Sequence, residues 1–167
     1  MCTETMPLPT DSSAVRRAMS ESRSRLPLPH AYPFLLLDRI VEVRTGRSAR
    51  AVKNVTRDDP LLDAAGCLPP VLLAEALAEA AGVAAIGLHG RMTGVLARIE
   101  RFRSRAPVHA GDRLEISVRV LKVFGTIVKA RGVVRIDGRI GAAGEVFLQL
   151  SDGTRVGDGD GVTPTID

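Results

Sequence analysis

The run from Val71 to Leu88, VLLAEALAEAAGVAAIGL, constrains the fold of this chain more than any other segment. It is apolar on every side and broken only by Glu75 and Glu79. Its spacing and composition predict a helix, and a helix without a polar face has to be enclosed by other elements. The two glutamates and the many small residues argue for a buried core helix over a membrane span. Pro69 and Pro70 precede it, where first-turn amides have no helical acceptor to lose. His89 and Gly90 supply a C-terminal stop.

The rest of the chain reads as strands. Arg39–Val43 and Ser48–Thr56 alternate around Gly46 and predict a hairpin, ended by Asp58, Asp59 and Pro60. After the helix, Gly94–Ile99 and Arg103–Val108 read as two strands. Leu114, Ile116, Val118 and Val120 alternate with polar residues, as do Val128, Ala130, Gly132, Val134 and Ile136. Asp137-Gly138 is a turn pair, and Gly141–Leu150 completes the series. A hairpin, one long apolar helix and a run of antiparallel strands make an α+β domain. One strongly curved antiparallel sheet wrapped around a single central helix satisfies that order.

The 167 residues are a one-domain length. Residues 1–26 are rich in Ser, Thr, Pro and Arg and read as a flexible N-terminal extension. The domain is expected over 27–150, and 151–167 as a flexible, solvated C-terminal tail. The DGDG of that tail lacks the ligand spacing of a calcium loop, so no metal is expected. Cys2 and Cys67 are too few for a disulfide framework. No apolar segment follows the N-terminal charges, so a cytoplasmic protein is expected. The formal charge of +4 comes almost wholly from arginine, which fits either a GC-rich genome or a basic face for an acidic partner. Aromatic residues are only 3%, with no Trp, which argues against a base-stacking nucleic-acid platform.

Three stretches carry a resemblance: LPHAYPFLLLDRIVEV (Leu28–Val43), AVKNVT (Ala51–Thr56) and PPVLLAEALAEAAG (Pro69–Gly82). Together they resemble the 3-hydroxyacyl-thioester dehydratase family of the hot-dog fold, and the similarity spans roughly Leu28–Leu150. It implies a hot-dog domain paired edge to edge in a dimer, acting without a cofactor on thioesters of acyl carrier protein. In that family a loop histidine acts as base, a backbone amide at the helix N-terminus polarises the thioester carbonyl, and a helix carboxyl from the facing subunit donates a proton.

Glu75 takes the place of the family acid. A carboxyl among Leu72, Leu73, Ala76 and Leu77 is expected to be desolvated and to keep its proton to higher pH, as a donor needs. Glu79 stands where the family more often has glutamine and reads as a polar contact. The other two parts are missing. Leu61 and Leu62 match the bulky pair before the family histidine, but DAAGCLPP follows, a shorter loop without an imidazole. The family Pro-Gly becomes Pro69-Pro70, and proline has no N–H to offer an oxyanion. Asp63 is the candidate substitute base. Cys67, Pro70, Leu72 and His30 are candidate substrate-binding residues, with Cys67 as a small apolar packer and His30 as part of the entry motif. Arg98, Arg101, Arg103 and Arg105 form the most basic part of the domain, suited to the carboxylates and phosphopantetheine phosphate of a carrier protein, or else a solvated strand edge.

These expectations favour a dehydratase-like protein of fatty-acid or polyketide assembly that is incomplete alone and lends Glu75 to a heteromeric dehydratase. The alternatives are an active homodimer with Asp63 or His30 standing in, a hot-dog thioesterase, and a non-enzymatic acyl-thioester binder.

Overall fold

The computed structural model describes residue 28, residues 30–85 and residues 92–152. The expectations for the N-terminal extension, for Cys2, for the His89-Gly90 helix stop and for the tail beyond Asp152 lie outside the described residues. Strands β1 (Arg39–Arg44) and β2 (Ser48–Asn54) form the hairpin, and helix α1 (Pro70–Ala85) follows. Then come β3 (Met92–Ser104), β4 (Arg113–Phe124), β5 (Ile127–Ile136) and β6 (Arg139–Asp152). All pairings are antiparallel, in one six-stranded sheet of order β1-β2-β4-β5-β6-β3. No helix among the described residues is long and apolar enough to cross a membrane.

Enclosure of the apolar helix is the organising event. α1 packs against all six strands, and Leu73, Ala76, Leu77, Ala80, Ala81 and Ala84 are buried. The sheet meets them with the inward half of its alternation, Leu114 and Ile116 on β4, Val128, Ala130 and Val134 on β5, Val146 and Leu148 on β6. Gly132 lets the layers approach closely, since a Cβ there would lie 2.5 Å from Leu77 Cδ2. The β1–β2 turn also caps the helix: Gly46 N–H donates to the Ala84 carbonyl at 2.7 Å, satisfying a last-turn acceptor.

One strand prediction is corrected. Gly94–Ile99 and the first two residues of the strand expected over Arg103–Val108 belong to a single β3, with a bulge between Glu100 and Arg103 where Arg101 takes φ 51°; β3 ends at Ser104, and residues 105–108 lie outside any strand. The extra residue shifts the alternation by one, so a continuous strand reads as two in sequence. Asp137 and Gly138 form the expected β5–β6 turn, with φ 50° and 77°. β6 runs on through Ser151 and Asp152, past the expected end at Leu150.

The enclosure is incomplete along one stripe. Val71, Leu72, Glu75 and Gly82 are the residues of α1 after Pro70 that are not fully buried. Leu72, Glu75 and Gly82 recur at helical spacing, so they share one face.

Candidate active site

Beyond Leu72, the Glu75–Gly82 part of that stripe opens onto a cleft of about 470 Å³ between α1, the entry segment and the β3–β6 edge. Its polar residues are His30, Glu75 and Glu79; most of its wall is apolar, with Leu28, Phe34, Leu96, Leu148 and Leu150 among the lining residues. The volume and the few convergent polar groups suit a small-molecule site.

Glu75 is one helical turn in from the start of α1, and its side chain is 22% exposed. The burial expected for it falls on its sequence neighbours instead. Leu73, Ala76 and Leu77 turn into the sheet, while Glu75 faces the cleft. Across from it, His30 Nε2 lies 3.6 Å from Glu75 Oε1, an ion-pair distance beyond hydrogen-bond range. His30 Nδ1 is buried with no hydrogen-bond partner among the described residues. The entry-motif histidine therefore faces the candidate acid.

Of the two glutamates that line the cleft, the one the fold buries is Glu79, 1% exposed. Its Oε1 and Oε2 accept the Leu36 N–H at 3.0 and 3.1 Å, and Oε2 also accepts the Leu37 N–H at 3.1 Å. Burial pushes this carboxyl up to about 7; the two amides and nearby Lys53 pull it back, and the Glu75 charge adds to the rise. Glu79 thus ties the entry segment to the helix turn next to Glu75, a polar contact as expected. Lys53 is itself buried and paired with Asp59 at 2.8 Å.

The loop before α1 carries no histidine. Asp63 Oδ1 accepts the N–H groups of Ala65 and Cys67, each at 2.9 Å, and the Asp63 N–H donates to the Cys67 carbonyl at 2.8 Å. This is a self-bonded turn, which commits one oxygen of the candidate substitute base to loop structure. Cys67 is a half-buried free thiol whose backbone bridges to His109. Pro70 is exposed at the first helical position, and Leu72 packs against the core. Asp63, Cys67, Pro70 and Leu72 do not line the cleft, so of the expected site residues this chain brings together only Glu75 and His30.

The arginine cluster is divided. Arg98 pairs with Glu100 at 2.8 Å, and Arg101 reaches Glu145 at 3.3 Å. Glu145 is also held by Arg131 at 2.6 Å and Lys129 at 2.8 Å, which together keep its carboxyl down at about 2. Arg103 and Arg105 are exposed and make no ion pair among the described residues. The Glu100–Glu145 pairing across β3 and β6 could not be read in sequence, because it depends on strand register.

Residues 28–150 match the FabA-like domain family model. The chain is 37% identical over 157 residues to the 3-hydroxyacyl-[acyl-carrier-protein] dehydratase FabZ of Anaeromyxobacter sp. (strain K), covering 82% of this chain and 100% of that protein. It is 36% identical over 132 residues to the FabZ dehydratase of Caldanaerobacter subterraneus subsp. tengcongensis, covering 75% and 93%. Among solved structures it is similar to the dehydratase heterocomplex ApeI:P of Xenorhabdus doucetiae, with TM-score 0.68, 23% identity, and coverage of 76% of this chain and 90% of that one. At that identity the likeness speaks to the fold alone.

Proposed function

Since the chain belongs to the FabA-like family of hot-dog proteins, we propose that it is the catalytically incomplete subunit of a heteromeric dehydratase acting on 3-hydroxyacyl thioesters of acyl carrier protein in fatty-acid or polyketide assembly. The observation that carries this is the segment Leu61–Pro70. It has no imidazole, one Asp63 oxygen is bound to its own loop amides, and it reaches α1 at a residue without an N–H.

In the mixed dimer Glu75 is the proton donor. A histidine of the partner subunit removes the proton alpha to the thioester carbonyl, and a partner amide holds the oxygen that gains charge. The C–O bond to the 3-hydroxyl then breaks as the double bond forms. Glu75 protonates the leaving oxygen, and water departs. An acid on the open stripe of α1, beside an apolar cleft, suits this division of labour. The exposed Arg103 and Arg105 are the arginines best placed to meet an acidic carrier protein, because Arg98 and Arg101 are already engaged by Glu100 and Glu145.

The test is co-expression of the tagged chain with related hot-dog proteins of its own genome. Recovery of a partner that carries the loop histidine, with dehydration by the mixture that is lost on Glu75→Gln, is expected. Full activity of the mixture with Glu75→Gln would overturn the proposal.

One observation favours a second reading, an active homodimer. His30 Nε2 at 3.6 Å from Glu75 provides an imidazole–carboxyl pair within one subunit. In that case the pure chain dehydrates the thioester and His30→Gln abolishes turnover.

A further inference from the structure

The β4–β5 hairpin runs on past its neighbour. Pairing of β2 with β4 stops at Ser48 opposite Arg119, so beyond Val120 the strand β4 is paired with β5 alone. Val128 and Ala130 turn into the core from this part of the hairpin, which leaves the alternate residues on the outer face. There two successive rungs set cation against cation, Arg119 opposite Arg131 and Lys122 opposite Lys129. Like charges directly opposite one another destabilise a strand pair, so within this chain the arrangement is a cost. Glu145 takes up Lys129 and Arg131, at 2.8 and 2.6 Å. Arg119 and Lys122 are exposed and make no ion pair among the described residues; Lys122 Nζ lies 4.4 Å over the Phe124 ring. The next rung outward is apolar, Phe124 opposite Ile127, and both are exposed, as are Leu121 and Val123. None of these side chains lines the cleft.

A partner for this hairpin has to offer negative charge to the two cationic rungs and an apolar medium to the tip, in that order. A second copy brings the same cations and is repelled. A single-stranded nucleic acid needs ring platforms for its bases, and the two cationic rungs carry no ring. An acidic protein matches the cations but has no continuous apolar layer behind its charges. An anionic bilayer has both, phosphates outside and acyl chains beneath, and the arginine fork suits a phosphate. We propose that the outer face of the β4–β5 hairpin is a docking surface for an anionic lipid bilayer. Phe124 and Ile127 enter the headgroup boundary, and Arg119 and Lys122 meet the lipid phosphates. Salt screens the second contact and leaves the first.

The experiment is co-sedimentation of the full-length chain with vesicles of phosphatidylcholine alone, or of phosphatidylcholine and phosphatidylglycerol in equal parts. Wild type is expected to bind the anionic vesicles, more weakly as salt rises, and to leave the neutral ones in suspension. Arg119→Gln and Lys122→Gln each weaken binding about fivefold, and together about 25-fold. Phe124→Ser weakens it about tenfold at every salt concentration. The thermal midpoint of Arg119→Gln is not lowered, because the change removes one like-charge rung, so a loss of binding there is not a loss of fold. Wild type that ignores anionic vesicles, or binds neutral ones as well, overturns the proposal. So do variants that sediment like wild type, which place any lipid contact elsewhere in the chain. Binding to soluble polyaspartate or an oligonucleotide as tight as to vesicles, and unchanged by Phe124→Ser, assigns the face to an acidic protein or a nucleic acid and also overturns it.

Discussion

Glu79→Gln isolates the most unusual charge in the protein. Burial raises the Glu79 carboxyl from 4.5 to about 7, so the folded state holds a proton that the unfolded chain would release. A group raised in this way stabilises the fold fully below its unfolded value and loses that contribution as pH rises through its folded value. The shift corresponds to about 3 kcal/mol between the two extremes, most of which falls between pH 5 and pH 8.5. The charged groups that bear on Glu79 are Glu75 on its own helix and Lys53 on β2; both are kept in the variant. Glu145, held near 2, changes its contribution only at lower pH. The chain has no Trp, so urea unfolding is followed by far-ultraviolet circular dichroism, at one protein concentration. Wild type is expected to lose about 2–3 kcal/mol from pH 5 to pH 8.5 relative to Glu79→Gln, which lacks the titrating group. Parallel pH profiles for the two proteins would refute the burial argument.

Three further outcomes follow from the geometry. Lys53→Met strands Asp59 in a site where both side chains are under 10% exposed (7% and 9%), and costs about 3–5 kcal/mol by urea unfolding, most of it recovered by removing Asp59 as well. Asp63→Ala loosens the turn before α1 and costs about 1–2 kcal/mol, while dehydration by the mixed dimer changes less than about threefold, a change far smaller than loss of a catalytic base produces. Charge reversal of Arg103 and Arg105 weakens carrier-protein binding by about tenfold at low salt and flattens its salt dependence, measured by surface plasmon resonance. The same reversal of Arg98 and Arg101 acts mainly on stability, through Glu100 and Glu145.

The central helix and the curved sheet around it were legible because both follow from burial. An apolar run has to be covered, and alternating residues such as Leu114, Ile116 and Val118 show which strand face covers it. The bulge at Arg101 hid the continuity of β3, since one extra residue reverses the alternation that marks a strand. The motif singles out Glu75, but not its environment: Leu73 and Leu77 are near it in sequence and on another helix face in space. The approach of His30 to Glu75 spans 45 positions and belongs to tertiary structure, as does the grip of Glu79 on Leu36 and Leu37. The make-up of the loop was legible outright, because a segment without an imidazole and a proline without an N–H are properties of residues.

The most direct measurement compares two purified proteins on a 3-hydroxyacyl carrier protein: the chain as it stands, and a graft in which the Leu61–Pro70 loop is replaced by the histidine- and glycine-bearing loop of a FabZ relative. The account predicts no dehydration above background by the first and turnover by the second that disappears with Glu75→Gln. Turnover by the unaltered chain at the rate of the graft would contradict it.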